Sequence, residues 1–231
     1  MRGVFVTGTD TGVGKTVVAA GIAWLLRKRG IDVVAMKPFA TGAKYHSKKF
    51  KSEDTAILAE AAGTVEPDDE LNPVFFRVPA SPLMAAQILK KSPPDVHGAL
   101  FPLKKLGIKH QFVVVEGIGG LMVPLTEREF IADFIRLAGV PVVIVTHPRL
   151  GTLNHTLLTV RACREFGLDV RGIIFNMMPK RPSAVEKNAP HVIQRLAGVP
   201  VLAVLPQMKN PDYKEVGRLL GKAGVTETVL A

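Results

Sequence analysis

The stretch Gly8-Thr9-Asp10-Thr11-Gly12-Val13-Gly14-Lys15-Thr16 decides the fold of this chain. It follows a short apolar run and precedes a segment of helical spacing, which is the context that a phosphate-binding loop requires. A Gly-rich turn between a strand and a helix offers backbone N–H groups to phosphate oxygens at the positive end of the helix dipole. The chain is therefore predicted to bind a nucleoside triphosphate.

The side chains at the end of this loop predict how the phosphates are held. Lys15 is expected to reach the β- and γ-phosphates, and the Thr16 hydroxyl is expected to ligate Mg²⁺. The loop is a variant, because Thr9 stands where the usual G-x-x-x-x-G-K-[ST] pattern has its first glycine, and Gly8 comes one residue earlier. The candidate nucleotide contacts in the loop are Thr9, Asp10, Thr11, Gly12, Val13, Gly14, Lys15 and Thr16.

Length and composition suit one α/β domain over residues 1–231. The chain has 231 residues, of which 47% are hydrophobic, enough for a full core. Its single cysteine, Cys163, excludes an internal disulfide and a cysteine metal cluster. Apolar runs such as residues 140–145 are far shorter than a membrane span, and no secretory leader is evident, so a cytoplasmic protein without a membrane partner is expected.

The net charge of +10 raises the question of a nucleic-acid partner. Most of the basic residues are scattered along the chain, and the densest group, Lys44, Lys48, Lys49 and Lys51, lies in a predicted loop. A solvated basic loop near a polyanionic substrate explains this pattern better than a nucleic-acid groove. The charge therefore predicts no nucleic-acid partner.

Apolar runs rich in Val and Ile recur along the chain, and segments of helical spacing separate most of them. This alternation predicts an α/β fold of the P-loop NTPase type, a doubly wound and mainly parallel sheet with helices on both faces. The predicted strands are residues 3–7, 32–36, 112–115, 140–146, 170–175 and 201–205.

Several residues mark where the helices begin and end. The first helix is predicted over about residues 15–29, with Gly30 in a left-handed cap. Ser52 is a predicted N-cap, and Ser81, followed by proline, is predicted to open another helix. Pro102 predicts an interruption of any helix over residues 96–105, because proline lacks a backbone N–H and disfavours a helix interior.

Three segments that follow strands carry polar residues or glycines: the phosphate loop, residues 37–42 and residues 116–120. Carboxyl ends of parallel strands meet at one crevice, where ligands bind. Lys37 ends a strand expected to be buried on both faces, which places it at that crevice. Glu116 takes the position of a carboxylate facing Mg²⁺, normally Asp, or is a solvated strand end. Asp54 is either a metal ligand or an acid favoured by the dipole of its helix.

Six segments together resemble dethiobiotin synthetase. They are GTDTGVGKT (8–16), KPFATG (37–42), the acidic pair around Asp54, PASP (79–82), VVVEGIGG (113–120) and LGTLNH (150–155). The resemblance runs in order from about residue 3 to about residue 206, and it implies a P-loop α/β fold and a homodimer. It also implies a reaction of biotin biosynthesis, in which 7,8-diaminononanoate (7,8-diaminopelargonate) and CO₂ form a cyclic urea while ATP becomes ADP and phosphate. The implied intermediates are a carbamate and a carbamic–phosphoric anhydride.

The resemblance assigns roles to individual residues. Lys15 and Lys37 would offset the charge of the reacting anions. The implied Mg²⁺ ligands are Thr16, Asp54 and Glu116, hard oxygen donors that suit this ion. Thr41 would hydrogen-bond the new carbamate, Thr11 would lie near the diamine, and Gly119 and Gly120 would let backbone groups approach the substrate.

Two more segments gain roles from the resemblance. Gly151, Thr152, Leu153 and Asn154 open a helix whose N-terminus would bind the substrate carboxylate at the neighbouring subunit's site, or else Thr152 or Asn154 is merely its N-cap. Asn176 and Pro206 would contact the adenine base. Met177 departs from the family, which often has Asp there, and this puts the base preference in question.

Other classes of P-loop protein remain as alternatives. Partitioning or positioning ATPases of the deviant P-loop type carry a signature Lys where this chain has Asp10. Cobyrinate-type amidating ligases share the loop and the EGxGG segment, but they carry an added glutaminase domain with a nucleophilic Cys, for which this chain has neither the length nor a suitable cysteine. A small-molecule kinase would leave Lys37 and residues 117–120 without a specific role.

Overall fold

Six parallel strands form the central sheet of the computed structural model, which describes residues 1–42 and 46–231. The strands along the described chain are β1 (Gly3–Gly8), β2 (Val33–Met36), β3 (Phe39–Thr41), β4 (Val74–Phe76), β5 (Phe112–Glu116), β6 (Val142–Thr146), β7 (Val170–Met178) and β8 (Val201–Pro206). The order across the central sheet is β2-β5-β1-β6-β7-β8, and a separate parallel pair joins β3 to β4.

Helices cover both faces of the central sheet. They are α1 (Lys15–Lys28), α2 (Glu53–Ala62), α3 (Asp68–Leu71), α4 (Pro82–Ile88), α5 (Leu100–Lys109), α6 (Ile131–Ala138), α7 (Thr152–Glu165), α8 (Ala184–Ala197), α9 (Tyr213–Lys222) and α10 (Val225–Leu230). Helices α1, α2, α9 and α10 pack on one face, and α5 to α8 pack on the other. Within the described ranges, none of these helices combines the length and apolar character needed to cross a membrane.

Alternate residues of each central strand enter opposite cores. In β1, Val4 and Val6 pack with α1, while Phe5 packs on the other face against Phe134 of α6. A strand buried on both faces reads as a continuous apolar run. This is why the six predicted strands are confirmed, each within three residues at either end.

Residues 37–42, predicted to follow a strand, contain a further short strand. They contain β3, whose Phe39 and Thr41 lie opposite Val74 and Phe76 of β4. Neither strand was predicted, because three residues are too short to show a period and their partners lie far along the chain. Thr41, the last residue of β3, lines the cavity described below.

Most predicted helix ends are confirmed. Gly30 has a φ of 79°, the left-handed conformation expected after α1, and the Ser81 hydroxyl accepts a hydrogen bond from the Met84 N–H of α4 at 3.3 Å. Ser52 precedes α2 as predicted, but its side chain makes no capping hydrogen bond there. Pro102 does not prevent a helix: α5 begins two residues earlier, so this proline lies in the first turn, where its missing N–H costs nothing.

Two predictions from composition are tested in part. Cys163 is buried in the core on α7, where desolvation raises the pKa of its thiol to about 12, and it is unsuited to be a nucleophile. Lys48, Lys49 and Lys51 lie in a loop as predicted, while Lys44 lies outside the described residues.

Candidate active site

The phosphate loop joins β1 to α1 in the conformation that its glycines permit. Gly12 and Gly14 have φ angles of 77° and 89°. A Cβ atom at Gly14 would lie 2.1 Å from the Nδ2 atom of Asn176, so a larger residue is excluded there by space as well as by backbone conformation. Lys15 folds back along the loop, and its Nζ atom donates to the carbonyl of Asp10 at 2.9 Å.

Lys15 is a buried cation in this loop. Its residue surface is only 6% exposed. Burial, assisted by the neighbouring charge of Lys37, lowers the pKa of Lys15 from 10.5 to about 8, against the opposing pull of nearby carboxylates such as Glu116. An anionic ligand at this position would relieve that cost, because it favours the charged ammonium.

Four side chains meet beside the loop: Thr16 of α1, Asp54 of α2, Glu116 of β5 and Lys37 of the link between β2 and β3. The Nζ atom of Lys37 lies 2.6 Å from Oε1 of Glu116 and 2.8 Å from Oδ2 of Asp54. The Thr16 hydroxyl lies 2.7 Å from a carboxylate oxygen of Glu116 and 3.1 Å from one of Asp54, and it can donate its single hydrogen to either. The two acids therefore share one lysine and one hydroxyl.

The charges of this cluster are strongly coupled. Burial works against the ammonium of Lys37, but its two carboxylate partners outweigh burial and raise the pKa of Lys37. Burial raises the pKa of Glu116, and the charge of Asp54 acts in the same direction. Partial burial also opposes ionisation of Asp54, yet Lys37 outweighs it and lowers the pKa of Asp54. The cluster thus holds the lysine charged and at least one acid ionised.

A cavity of about 580 Å³ brings these groups together, as the sequence predicts. Lys37 and Glu116 line it alongside Lys15, so the three can contact one bound ligand. The predicted site residues in its wall are Thr11, Gly12, Gly14, Lys15, Thr16, Lys37, Thr41, Asp54, Glu116 and Gly119. Residues of the wall that were not predicted as site residues are Pro79, Ala80, Ser81, Ile118 and Val123.

Most of these unpredicted wall residues lie within segments that the sequence analysis had already noted. Residues 79–81 belong to a segment noted for family resemblance, and Ile118 lies between predicted glycines, whereas Val123 belongs to no motif. Asn72 also escaped prediction. It is buried, and its side chain donates to the Lys37 carbonyl at 2.8 Å, so it fixes the backbone that carries the lysine.

The remaining predicted loop residues contribute mainly through the backbone. The carbonyl of Val13 accepts the Asn176 amide at 3.0 Å, and the carboxylate of Asp10 accepts the Thr11 N–H at 2.6 Å. The Thr9 side chain lies 3.1 Å from the hydroxyl of Thr146, away from the cavity wall. Thr9 does not line the cavity, and its role as a nucleotide contact stays a prediction.

The glycine turn after β5 packs closely on the phosphate loop. Gly119 has a φ of 58°, and a Cβ there would lie 2.6 Å from Val123. A Cβ on Gly120 would lie 3.6 Å from the carbonyl oxygens of Gly8 and Thr9. The space and the backbone conformation thus require a glycine at Gly119, whereas a Cβ at Gly120 would make only ordinary contact with the loop.

Asn176 and Pro206 lie at the ends of β7 and β8. Asn176 is buried against the phosphate loop, and Pro206 pairs with Met178 after an irregularity in the strand register. Met177 forms that irregularity with a φ of 62°, an uncommon conformation for a residue with a side chain. The two predicted base contacts thus flank a distorted strand end beside Gly14.

The segment 151–154 forms the start of α7, as predicted. The alternative that Thr152 or Asn154 is the N-cap is wrong: the N-cap is Gly151, with a φ of 93°. Thr152 is buried with its hydroxyl 3.0 Å from Thr146, while Leu153 is 37% exposed. This segment lies outside the wall of the cavity in the same subunit.

The acidic cluster fits a divalent cation. The second carboxylate oxygen of Glu116, Oε2, is buried and has no hydrogen-bond partner, which is costly unless a cation or water meets it. Two carboxylates and the Thr16 hydroxyl are hard oxygen donors of the kind that bind Mg²⁺ together with waters. Over residues 1–42 and 46–231, no group of three or more His, Cys, Asp and Glu side chains is placed to hold a metal ion.

Comparison with known proteins assigns the family. A family model described as an AAA domain matches residues 2–213. ATP-dependent dethiobiotin synthetase BioD of Nitrosopumilus maritimus is 41% identical over 222 residues, with 96% of each chain covered. The protein of the same name from Bacillus subtilis (strain 168) is 39% identical over 216 residues, covering 94% of this chain and 92% of that one.

The chain belongs to the dethiobiotin synthetase family.

Solved structures outside the dethiobiotin synthetase family share its fold. The cell division ATPase MinD of Pyrococcus furiosus has a TM-score of 0.62 at 21% identity, covering 100% of this chain and 99% of that one. A ParA family ATPase from Chlorobium tepidum has a TM-score of 0.56 at 18% identity, covering 99% and 97%. At such identities the likeness shows the P-loop fold alone. It gives no support to the partitioning ATPase alternative over the synthetase.

Proposed function

We propose that the chain is an ATP-dependent dethiobiotin synthetase, which joins 7,8-diaminononanoate and CO₂ into the cyclic urea dethiobiotin while ATP becomes ADP and phosphate. The observation that carries the proposal is the single cavity shared by Lys15, Lys37 and Glu116 beside the phosphate loop. It occurs in a chain whose relatives at about 40% identity carry the synthetase name. The function is thus supported by the family and by the site independently.

The reaction needs three bond-forming steps. One amine of the substrate attacks CO₂ and loses a proton, which gives a carbamate. A carbamate oxygen then attacks the γ-phosphorus of ATP, the bond to the β,γ-bridging oxygen breaks, and ADP leaves. The second amine attacks the carbamate carbon, expels phosphate and loses a proton, which closes the ring. Phosphorylation is required because a free carbamate has no good leaving group.

Lys15 and Lys37 have different tasks in these steps. Lys15 lies in the loop, where its ammonium would contact the β- and γ-phosphates. Lys37 lies across the cavity on the carboxylate cluster, where its ammonium would offset the charge that gathers between the carbamate and the γ-phosphate. In both positions the charge is held in place before the reaction, so little reorganisation is needed.

Thr16, Asp54 and Glu116 are the proposed ligands of Mg²⁺. When bound, the ion would supply positive charge to the phosphate oxygens during transfer. The unpartnered Oε2 of Glu116 supports this assignment, because it leaves one buried oxygen free for a ligand.

Glu116→Gln is expected to weaken the dependence on Mg²⁺ more than the affinity for ATP. The amide keeps the size of the side chain but loses the charge that a cation requires, so the Mg²⁺ concentration for half-maximal turnover should rise by about 10–100-fold. Titration of turnover with Mg²⁺, beside calorimetric binding of ATP, measures both effects. Glu53→Gln is the matched control, since Glu53 is exposed on the same first turn as Asp54. An unaltered Mg²⁺ titration in the Glu116 variant would contradict the assignment.

The substrate is proposed to lie between the phosphate loop and the glycine turn. Thr41 lines the cavity and would hydrogen-bond the carbamate, and Thr11 would lie near the diamine. Gly119 and Gly120 would offer backbone groups at close range. Asn176 and Pro206 are proposed to contact the adenine base. The amide of Asn176 already bonds to Val13, which leaves its oxygen free to accept from the base.

A homodimer is part of this proposal. Residues 151–154 start a helix whose N–H groups could bind a carboxylate, yet they lie outside the cavity of their own subunit. Leu150 is 90% exposed beside them, as a residue at an interface would be in a single chain. We therefore propose that the segment completes the site of a second copy. A cytoplasmic location stays a prediction.

Activity is expected to follow the dimer. Sedimentation should show a dimer at the concentrations used for assay, and dilution into the range where it dissociates should lower the turnover per chain. Leu150→Asp should weaken the dimer, because it places a charge at the proposed apolar contact. Dissociation in sedimentation and the loss of turnover on dilution should then both occur at higher protein concentration. Val65→Asp is the control, because Val65 is also highly exposed but lies in the connection between α2 and α3. A monomer with full turnover would exclude a shared site.

One assay tests the proposed function directly. Protein, ATP, Mg²⁺, bicarbonate and 7,8-diaminononanoate are mixed, and the cyclic urea is sought by mass spectrometry, with each component omitted in turn. The expected product requires all components and carries one carbon from labelled bicarbonate. ATP hydrolysis without the urea would refute the synthetase, whereas phosphorylation of the diamino acid itself would indicate a small-molecule kinase.

A further inference from the structure

Four threonine hydroxyls form a buried cluster between the phosphate loop and α7. At its centre is Thr146, the last residue of β6, which is fully buried. Its Oγ1 atom lies 3.1 Å from that of Thr9, 3.0 Å from that of Thr152 and 3.0 Å from that of Thr156. A hydroxyl donates one hydrogen bond and accepts two. These three neighbours therefore use the full hydrogen-bonding capacity of Thr146.

The cluster joins two segments that act on different ligands. Thr9 begins the phosphate loop and takes the place of its usual first glycine, and its N–H also bonds to the Val145 carbonyl at 3.0 Å. Thr152 is the first residue of α7, and Thr156 follows one turn later. Because Thr9 replaces a glycine, the loop carries a hydroxyl here. This hydroxyl is connected to the start of α7 through one residue, Thr146.

Apolar packing alone does not explain this cluster. Valine has the shape of threonine and would fill the same space without a polar atom, whereas a buried hydroxyl is costly unless it is hydrogen-bonded. Each hydroxyl here is bonded, and a change in the direction of one bond alters what the others can donate or accept. The cluster is consequently sensitive to the position of Thr9 in a way that methyl groups would not be.

We propose that Thr146 is a positioning residue that couples the phosphate loop to the start of α7. A nucleotide that orders the loop fixes Thr9, and through Thr146 it also orders the first turn of α7. The Thr152 N–H bonds to the Arg149 carbonyl at 3.0 Å, but the N–H groups of the next two residues have no partner in the preceding turn of α7. Their alignment therefore depends on how the first turn is held. The coupling itself does not depend on the proposed function. Its purpose does: in a dethiobiotin synthetase, bound ATP would order residues 151–154 for the substrate carboxylate.

Hydrogen exchange with ADP as the probe tests the coupling without the diamino acid. In the wild-type protein, saturating ADP is expected to slow exchange in the peptide covering residues 150–158 by about fivefold or more. Thr146→Val should bind ADP yet lose this effect, and Thr146→Ser should restore it. Thr159→Val is the matched control, because Thr159 lies on the same helix with its hydroxyl bonded only to the His155 carbonyl within that helix, at 2.8 Å. It should respond to ADP as the wild type does.

A second variant keeps the test decisive if Thr146→Val does not fold. Thr9→Val removes the hydroxyl on the loop side and should abolish the response of α7 in the same way. Retention of the full response in either valine variant, or a wild-type protein without any response, would overturn the coupling. These outcomes are separate from the fate of the proposed function, since a protein that makes no cyclic urea can still show or lack the response to ADP.

Discussion

Lys37→Met is expected to lower kcat by about 10²–10³-fold, the effect of removing one preorganised electrostatic donor. Lys37 is buried, and its ammonium faces the cavity from the carboxylate cluster. Methionine keeps much of the length and apolar stem of the side chain but carries no charge. The affinity for ATP should change much less, because the proposed phosphate contacts are Lys15 and the loop backbone.

Lys37→Met should also lower the stability of the free protein and make that stability depend more strongly on Mg²⁺. Lys37 compensates Glu116 and Asp54, and removal of one partner from a buried ion pair costs about 3 kcal/mol or more. The melting temperature without metal should therefore fall. Addition of Mg²⁺ should raise it more in the variant than in the wild type, because the two carboxylates no longer share a lysine.

Lys51→Met is the matched control for this pair of measurements. Lys51 also pairs with two carboxylates, Asp68 and Asp69, but it lies in the basic loop outside the proposed site. It should keep its turnover and show no added response to Mg²⁺. Near-normal turnover in Lys37→Met would remove this lysine from the chemistry, whatever its effect on stability.

The meeting of Lys37, Glu116 and the phosphate loop could be predicted because it follows from strand ends. In a parallel sheet every carboxyl end points to one edge, and the order β2-β5-β1 makes the three segments immediate neighbours. The pattern of apolar runs indicates the strands, but one sequence does not fix their order. The expectation that the three segments meet came from the rule that ligands bind in a crevice at the carboxyl ends of parallel strands, and the structure supplied the strand order.

The contacts that sequence reasoning missed depend on residues far apart in the chain. Asn72 supports Lys37 from a short helix end, and Thr146 meets Thr9 and Thr156 through side-chain hydroxyls. None of these contacts has a period or a local motif, because each is set by how separate elements pack. The β3–β4 pair escaped for the same reason. Local signals therefore predicted the walls of the site, whereas the structure was needed to find what holds them in place.

Lys15→Ala is expected to lose turnover by about 10²–10³-fold as well, together with affinity for ATP. Lys15 would contact the phosphates in both the ground state and the transition state, so its removal should raise the KM for ATP and lower kcat. This separates it from Lys37→Met, in which the loss falls on kcat. Lys28→Ala, at the other end of α1, is the control for loss of a lysine from the same helix. Unchanged turnover in Lys15→Ala would refute its role.

The effect of Lys15→Ala on stability should have the opposite sign to that of Lys37→Met. Burial lowers the pKa of Lys15 to about 8, so its ammonium costs folding free energy at pH 7, and the cost declines above pH 8 and is gone above the ordinary pKa of 10.5. Without nucleotide, the alanine variant should melt at or above the wild-type temperature at pH 7. Thermal scans at pH 7 and pH 10 should show the difference shrinking as pH rises. Two inactive variants with opposite shifts would show that Lys37 stabilises the free protein, whereas Lys15 is held in place for its ligand.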